Sequence, residues 1–453
     1  MGTDKETRGF TSNLGAIAAA AGSAIGLGNI WRFPYTVGQN GGGAFLLLYV
    51  AFVFLLGLPV MMSEFVIGRR SQRNTVGAFR QLGPQYRRWT FVGVLGILAA
   101  FLIYSFYSTV AGWTLNYVAL SGSGRLAGKS PDEVAQVFSQ FTSGKLLPLL
   151  TQLAFIVITA AVIVMGVKNG IEKWSKILMP VLLVLMLLLC VRSLTLDGAS
   201  AGLAFLFHPD FSKLSASSVL SALGQALFSL SIGMGALITY GSYIRKEDNL
   251  FKTGLCVAGA DTVIALLAGI AIFPAVFAFG LSPASGPSLV YMVLPNVFNS
   301  MPAGTLFAIL FFLLLSIAAL TSTISLLEIV VLWAVEELGM KRSVATVLVS
   351  LLVFGFGSVC TLSFGPLSGV HIFGLTCFDF LDHLTATYMM PIGALCITLF
   401  LGWRYPKAEV FEELSNNGRL KAGYFRVFYF SLRYLAPAAL LIILIINILG
   451  INI

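Results

Sequence analysis

The stretches Gly22-Ser23-Ala24-Ile25-Gly26-Leu27-Gly28-Asn29 and Ser231-Ile232-Gly233-Met234-Gly235 decide how this chain folds. Each lies inside an apolar stretch long enough to cross a bilayer, yet each glycine costs a helix about 1 kcal/mol relative to alanine. A helix interrupted at membrane depth leaves peptide groups that lipid cannot satisfy. An ion and a polar solute would satisfy them, and paired interruptions in the two halves of a membrane protein indicate a transport site.

The composition is that of an integral membrane protein. Of 453 residues, 57% are hydrophobic and 10% are charged, whereas soluble domains carry about 25% charged residues. A bilayer core of about 30 Å requires roughly 20 apolar residues in a helix. The sequence therefore predicts an all-α protein with about eleven spans, at 13–37, 43–68, 90–120, 147–166, 174–194, 218–244, 252–280, 303–335, 343–363, 376–401 and 427–450.

Basic residues between the spans predict the orientation. They concentrate in the segments 69–88, 168–176, 245–252 and 404–426, which share the side of the N-terminus. The positive-inside rule then places the N-terminus in the cytoplasm and, with an odd number of spans, the C-terminus outside. This topology explains the net charge of +9, so we expect no nucleic-acid partner. We expect a multi-pass protein in the lipid bilayer of the cell inner (plasma) membrane.

The interruptions fall in the first and sixth predicted spans. That placement is expected of a 5+5 inverted repeat, in which the sixth span corresponds to the first. We predict a single transmembrane domain over 1–453, with one five-helix repeat at 13–194, a second at 218–401 and one additional helix at 427–450.

The residues after the first interruption carry a family signature. Asn29-Ile30-Trp31-Arg32-Phe33-Pro34-Tyr35 resembles the N-x-W-R-F-P motif of the neurotransmitter:sodium symporter family. The resemblance covers nearly the whole chain, and its other motifs are Asn40-Gly41-Gly42-Gly43-Ala44-Phe45, Gly57-Leu58-Pro59, Lys173-Trp174-Ser175-Lys176-Ile177-Leu178-Met179-Pro180, Gln225-Ala226-Leu227-Phe228-Ser229-Leu230-Ser231 and Leu320-Thr321-Ser322. It is similar to the bacterial multi-hydrophobic amino-acid transporter type. This implies a symporter, not an enzyme, that imports neutral hydrophobic L-amino acids with Na⁺ by alternating access.

The resemblance implies two Na⁺ sites. A hard cation prefers oxygen ligands, which free carbonyls, hydroxyls, amides and carboxylates supply. One implied site comprises the carbonyls of Gly22, Ile25 and Ala318 and the hydroxyls of Thr321 and Ser322. The other comprises Ala24, Asn29, Ser229, Asp261 and the substrate carboxylate. The alternative for Thr321 and Ser322 is that their hydroxyls bond only to preceding helix carbonyls.

A substrate site is implied beside these ions. A resumed helix presents N–H groups to an anion, so Leu27, Gly28 and the Tyr107 hydroxyl are the expected carboxylate partners. The whole implied set is Ala24, Leu27, Gly28, Ile103, Tyr107, Phe228, Ser229, Ser231, Met234, Ser325 and Leu326. The set carries no charge, which favours neutral substrates, and the flexible Met234 thioether favours several side-chain sizes. The alternative is that this apolar row is ordinary core.

Two gates are implied as well. Arg32 and Asp382 are opposite charges in or beside the membrane, and such charges normally pair. The resemblance makes them an outer gate, and the alternative is a permanent ion pair. The implied inner gate comprises Arg8, Phe10, Tyr243 and Glu336, although Arg8 is displaced by one position from the family pattern and Glu336 replaces the more usual aspartate.

Asp261 departs from the family pattern. Many members have asparagine here and a serine or carboxylate four residues later, where this chain has Ala265. We expect Asp261 to ligate Na⁺ and to supply the negative charge that chloride provides elsewhere, so no chloride requirement is expected. A buried carboxylate is costly unless an ion or a proton neutralises it, which predicts proton countertransport on the empty return. The alternative is a carboxyl that only pairs locally.

In the fifth span, Gly170 and Pro180 lie ten residues apart. Proline cannot donate to the helical ladder, so the preceding turns are predicted to unwind and admit water to an ion site. The alternative is a stable proline kink.

Other function classes remain open at this point. A non-transporting amino-acid sensor or an intramembrane enzyme would share the apolar composition. Asp379 and Asp382, three residues apart near a helix end, form a poor catalytic pair, and the sequence has no HExxH motif. Eleven spans leave out the twelfth that is common in the family, so no oligomeric state is predicted.

Overall fold

The computed structural model describes residues 9–280 and 289–449, which are almost entirely helical. We label the α-helices in chain order: α1 Asn13–Ala24, α2 Phe33–Gln39, α3 Gly43–Phe52, α4 Leu58–Ser71, α5 Thr75–Gln81, α6 Thr90–Gly122, α7 Pro131–Thr142, α8 Leu146–Val164, α9 Lys173–Leu194, α10 Ala199–Phe207, α11 Ala216–Ser229, α12 Ala236–Gly241, α13 Leu250–Ala278, α14 Leu294–Asn299, α15 Gly304–Glu337, α16 Arg342–Leu362, α17 Cys377–His383, α18 Met390–Leu399, α19 Lys407–Leu414, α20 Phe425–Phe430 and α21 Ala436–Leu449. Strands β1 (His371–Ile372) and β2 (Leu375–Thr376) form an antiparallel hairpin.

Short π-helical and 3₁₀ turns join several of these helices. The π-helical turns are Gly28–Arg32, Val53–Gly57, Val167–Glu172, Leu289–Val293, Leu384–Met389, Phe400–Arg404 and Ser431–Leu435, and the 3₁₀ turns are Pro84–Trp89 and Phe211–Lys213. A π-helical turn inserts one residue into an α-helix and often marks a functional segment.

The described residues contain nine continuous helical stretches that are long and apolar enough to cross a membrane: Gly43–Ser71, Pro84–Gly122, Leu146–Val164, Val167–Leu194, Leu250–Ala278, Gly304–Glu337, Arg342–Leu362, Cys377–Arg404 and Phe425–Leu449. The pair Asn13–Ala24 and Gly28–Gln39, bent by 46°, adds the first span. The sixth is divided between α11 and α12, so neither half has the length of a span by itself. The predicted all-helical, multi-pass architecture with broken spans 1 and 6 is confirmed, while the division into two repeats stays a prediction.

The break in span 1 is shorter than its glycine content predicts. Helix α1 continues through Gly22 to Ala24, and the chain bends only at Ile25 and Gly26 before the π-helical turn begins. Gly26 is needed at the bend because a Cβ there would overlap the Ser322 hydroxyl.

The break in span 6 covers residues 230–235. Ser231, Gly233 and Gly235 have φ angles of 56°, 86° and 77°, a left-handed conformation that glycine tolerates best. A Cβ on Gly233 would overlap the Met390 carbonyl, and one on Gly393 would overlap the Gly233 carbonyl. The backbone of the break therefore lies directly on α18.

Long helices hold the two breaks against each other. Helix α15 packs along α6, and both contact α8 and α16. Helix α1 packs on α9, α13 and α15, whereas α12 packs mainly on α4. Both broken spans are thus enclosed by helices on several sides.

The span 6 break yields a stability prediction. Gly233→Ala should lower the free energy of unfolding by about 2–3 kcal/mol, because it combines a strained φ with overlap against a carbonyl. Gly259→Ala in α13 is the matched control, since open space surrounds its Cβ position. Thermal unfolding in detergent compares the two, and equal midpoints would contradict the backbone contact with α18.

Candidate functional site

The two breaks line a common cavity of about 30 Å³. Span 1, α6, α11, the span 6 break, α15 and α18 contribute its walls. The lining residues are Ser23, Ala24, Gly26, Gly28, Ile103, Tyr107, Phe228, Ser231, Met234, Ser322, Ser325, Leu326 and Met390. All of the predicted substrate residues except Leu27 and Ser229 are among them, and none of these described lining residues is charged. The cavity therefore suits a solute without a charged side chain.

Serine side chains connect the breaks across the cavity wall. The Ser231 and Ser322 hydroxyls both donate to the Ser23 carbonyl, at 2.9 and 3.3 Å. The Ser23 hydroxyl in turn donates to the Ser325 hydroxyl at 2.9 Å. The last carbonyls of a helix lack intrahelical partners, so these hydroxyls satisfy the end of α1 from two other spans.

The start of the second half of span 1 faces an aromatic wall. The Leu27 amide donates to the Tyr107 hydroxyl oxygen at 2.9 Å. A Cβ on Gly28 would lie 3.2 Å from the Phe228 ring, so glycine lets the ring approach the helix start. Unpaired amides at a helix start attract anions. Leu27 thus belongs to the site through its backbone although its side chain does not line the cavity.

An uncharged oxygen cluster lies between the first break and α15. The Thr321 hydroxyl is 3.2 Å from the Ile25 carbonyl and 3.0 Å from the Ala318 carbonyl. Gly22 packs directly on Thr321, where a Cβ would be 3.3 Å from the Thr321 Cβ. The structure thus brings together Gly22, Ile25, Ala318, Thr321 and the adjacent Ser322. Carbonyl and hydroxyl oxygens of this kind suit a monovalent hard cation.

A second cluster surrounds the fully buried Asp261. The side-chain amide of Asn29 and the Ser229 hydroxyl each donate to Oδ1 of Asp261 at 2.7 Å. The Tyr49 hydroxyl donates to Oδ2 of Asp261 at 2.8 Å. Asn29 is held in place because its Oδ1 accepts from the Gly26 amide at 3.2 Å. The predicted ligands Asn29, Ser229 and Asp261 are therefore in contact, and they tie span 7 to both breaks.

Comparison with known proteins identifies the family. The profile described as "SNF: Sodium:neurotransmitter symporter family" matches residues 8–142 and 133–452. The chain belongs to this family. It is 42% identical over 442 residues to "Uncharacterized sodium-dependent transporter YhdH" of Bacillus subtilis, covering 98% of each chain. It is also 36% identical over 455 residues to an "Uncharacterized sodium-dependent transporter" of Haemophilus influenzae, covering 98% of this chain and 99% of that one.

A solved structure of the family is similar throughout. The "Crystal structure of MhsT in complex with L-phenylalanine" has a TM-score of 0.90 and 44% sequence identity, covering 97% of this chain and 99% of that one. The family and these relatives are sodium-dependent transporters, so the chain is a multi-pass transporter that uses Na⁺ and is not an enzyme.

Arg32 and Asp382, the implied outer gate, are placed apart. Within the described ranges they do not form an ion pair at 4.0 Å or less. The Arg32 guanidinium instead lies over the Phe228 ring, 4.4 Å from its centroid, a cation–π contact above the cavity wall. Asp382 is half-buried in α17.

Phe10 and Tyr243, from the implied inner gate, contact each other. Their rings meet edge to face at 5.7 Å, and the Phe10 amide donates to the Tyr243 carbonyl at 2.9 Å. The Tyr243 hydroxyl donates to Glu328 Oε1 at 2.5 Å, and Arg342 forms an ion pair with the same carboxylate. The Glu328–Arg342 pair was not predicted from the sequence.

Glu336 and Arg8 are the other two residues of the implied inner gate. Glu336 accepts hydrogen bonds from the Asn74 amide and side chain, both at 2.9 Å. These bonds connect α15 to the start of α5. Arg8 lies outside the described residues.

Two further carboxylates hold broken or distorted segments. Glu64 is fully buried in α4 and accepts from the Gly233 amide at 2.7 Å, within the span 6 break. Glu172, in the π-helical start of span 5, accepts from the Thr11 amide at 2.7 Å and from Lys176 at 2.6 Å. Sequence reasoning assigned neither a role. The sequence does show Glu64 as a single carboxylate within an apolar span, a pattern that indicates a functional or structural role.

Tyr49 provides a test of the Asp261 cluster. Tyr49→Phe should weaken Na⁺-dependent substrate binding roughly tenfold, because a carboxylate oxygen loses its donor at a cost of about 1–3 kcal/mol. Tyr117→Phe is the matched control, since the buried Tyr117 hydroxyl has no hydrogen-bond partner within the described part of the chain. Na⁺ titration of labelled amino-acid binding measures both. Equal affinities for the two variants would show that the Tyr49 bond does not shape the ion site.

Proposed function

We propose that the transporter imports neutral hydrophobic L-amino acids together with Na⁺ by alternating access. The observation that carries this proposal is the uncharged cavity formed where the two breaks meet, with an oxygen cluster on either side of span 1. Ile103, Met234, Leu326 and Met390 give its wall an apolar character, which favours an aliphatic or aromatic side chain when the wall residues move apart to admit it. The similar structure of MhsT, which is in complex with L-phenylalanine, supports the same substrate class.

Two Na⁺ ions are proposed to bind, one in each oxygen cluster. The Thr321 cluster offers only uncharged oxygens. The cluster with Asn29, Ser229 and Asp261 offers a carboxylate, and the nearby Ala24 carbonyl and the substrate carboxylate complete the proposed set. An ion in the second site would then contact the substrate directly, which couples the binding of the two.

Transport is proposed to need no chloride because Asp261 carries the compensating negative charge. Three donors surround its carboxylate, and Ala265 leaves the position four residues later without a charge. When the ions leave, a buried carboxylate is costly unless a proton replaces them. Proton countertransport is the proposed consequence.

The proposed orientation places the N-terminus in the cytoplasm and the C-terminus outside, in the inner (plasma) membrane. The basic segments and the positive-inside rule support it. On this orientation Phe10, Tyr243 and Glu336, with Arg8, form the proposed inner gate. Arg32 and Asp382 form the proposed outer gate, with Phe228 beneath Arg32.

Span 5 is proposed to unwind near Gly170 when Na⁺ is released. The span is wound from Val167 to Leu194, with Pro180 inside α9. Gly170 packs so closely on α8 that a Cβ would overlap the Val162 carbonyl. Glu172 holds the same turn to Thr11, so movement of the N-terminal half of span 1 would release it.

Uptake into proteoliposomes tests the proposed function. An inward Na⁺ gradient should drive accumulation of labelled phenylalanine or leucine above the outside concentration, without chloride and with opposing proton movement. A sensor would bind without accumulation, and a channel would not accumulate against a gradient. Binding without Na⁺-driven accumulation would refute symport.

Asp261→Asn is the variant that separates the charge hypothesis from local pairing. Its uptake should become chloride-stimulated and lose its opposing proton movement, because the amide can carry neither the charge nor the proton. Asp210→Asn, on an exposed segment between α10 and α11, should leave both properties unchanged. A pH-sensitive dye inside the vesicles reports the protons. Uptake by Asp261→Asn that chloride does not stimulate and that still moves protons in the opposite direction would refute the proposed role.

Pro180→Ala tests the unwinding of span 5. Hydrogen exchange at residues 167–180 should be faster without Na⁺ in the unsubstituted chain, and alanine should suppress the difference by restoring a backbone donor. Pro274→Ala is the matched control, since Pro274 also lies inside a membrane-spanning helix. Slow exchange at 167–180 with and without Na⁺ in the unsubstituted chain would favour the stable kink.

A further inference from the structure

The segment between α16 and α17 is one of two uncharged connections, with 279–303, on the face opposite the N-terminus. From 343 to 378 the sequence contains no Lys, Arg, Asp or Glu, whereas the loops at 123–145 and 195–215 carry charges of both signs. The uncharged segment includes the β1–β2 hairpin, whose turn is Phe373-Gly374.

The hairpin tip presents an aromatic ring where turn geometry disfavours one. Phe373 has φ 51° and Gly374 has φ 82°, and two-residue turns of this hand favour asparagine or glycine over bulky residues. The Phe373 side chain is nevertheless 93% exposed, with the Phe380 ring 6.1 Å away as its aromatic neighbour. Neither the turn geometry nor packing within the protein explains a phenylalanine at this position. Its exposed ring is therefore available to contact something outside the protein.

Exposed apolar side chains precede this tip along the chain. Helix α16 exposes Phe356 and Val359 in its last two turns, and the exposed apolar surface resumes at Val370 and Ile372. Helix α17 enters the membrane only four residues after Phe373. The hairpin therefore lies within reach of the boundary between headgroups and acyl chains, where aromatic side chains are favoured.

We propose that the β1–β2 hairpin docks on the lipid bilayer, with Phe373 inserted at the headgroup–acyl boundary of the leaflet opposite the N-terminus. Val370 and Ile372 extend the inserted apolar surface. The hairpin continues directly into α17, which carries Asp382, and then into α18, whose Met390 lines the cavity. The bilayer contact thus holds the entry of span 10 at a fixed depth. The proposal is independent of the transported substrate.

Spin labelling tests the docking. A variant without the five native cysteines receives one cysteine, as Phe373→Cys, Val370→Cys or the control Asp132→Cys on the exposed, polar helix α7 of the same face. In vesicles of phosphatidylcholine and phosphatidylglycerol, labels at 373 and 370 should show a several-fold higher ratio of oxygen to nickel-chelate collisions than the label at 132. Equal ratios at all three positions would overturn the proposal.

Two further outcomes keep the test decisive. Dipolar broadening between labels at 373 on different copies would overturn the proposal, because it would show a second copy of the chain on the hairpin. Phe373→Trp in a chain with its native cysteines retains an aromatic tip, and brominated lipids should quench its added fluorescence. An added fluorescence that these lipids leave unquenched would also overturn bilayer docking.

Discussion

The structure depends on how peptide groups freed by the two breaks find partners in an apolar surrounding. Each unpaired group costs several kcal/mol at membrane depth. Side chains of the same or neighbouring spans supply the partners: Asn29 for the Gly26 amide, Tyr107 for the Leu27 amide and Glu64 for the Gly233 amide. The breaks are therefore stable because side chains from spans 1, 2 and 3 replace the missing turns.

The oxygens of the Thr321 cluster form hydrogen bonds in this structure, and the proposed Na⁺ would use them differently. The Thr321 hydroxyl points its hydrogen toward the Ile25 or Ala318 carbonyl, whereas an ion would take the oxygen lone pairs of all three groups. Rotation of one hydroxyl is enough to change between these arrangements. The proposed site would thus be satisfied with and without the ion while both breaks keep their conformation.

The sequence predicted the parts of the site that carry a local signal. Glycine content located both breaks, and motif residues such as Asn29, Ser229 and Asp261 lie in one cluster. Glycine content also overestimated the first break, because α1 tolerates Gly22 within its last turns. Tyr49, Glu172 and Met390 were missed, since their roles come from contacts between helices far apart in the sequence and no periodicity or motif marks them.

The Ser23 carbonyl at the end of α1 accepts hydrogen bonds from two other parts of the molecule. Hydroxyls from the span 6 break and from α15 converge on this one oxygen at the end of α1. A displacement of α1 that carries this oxygen away from both elements would break both hydrogen bonds, since both end on the same atom. The N-terminal half of span 1 is consequently linked to span 6 and to α15 through a single backbone oxygen.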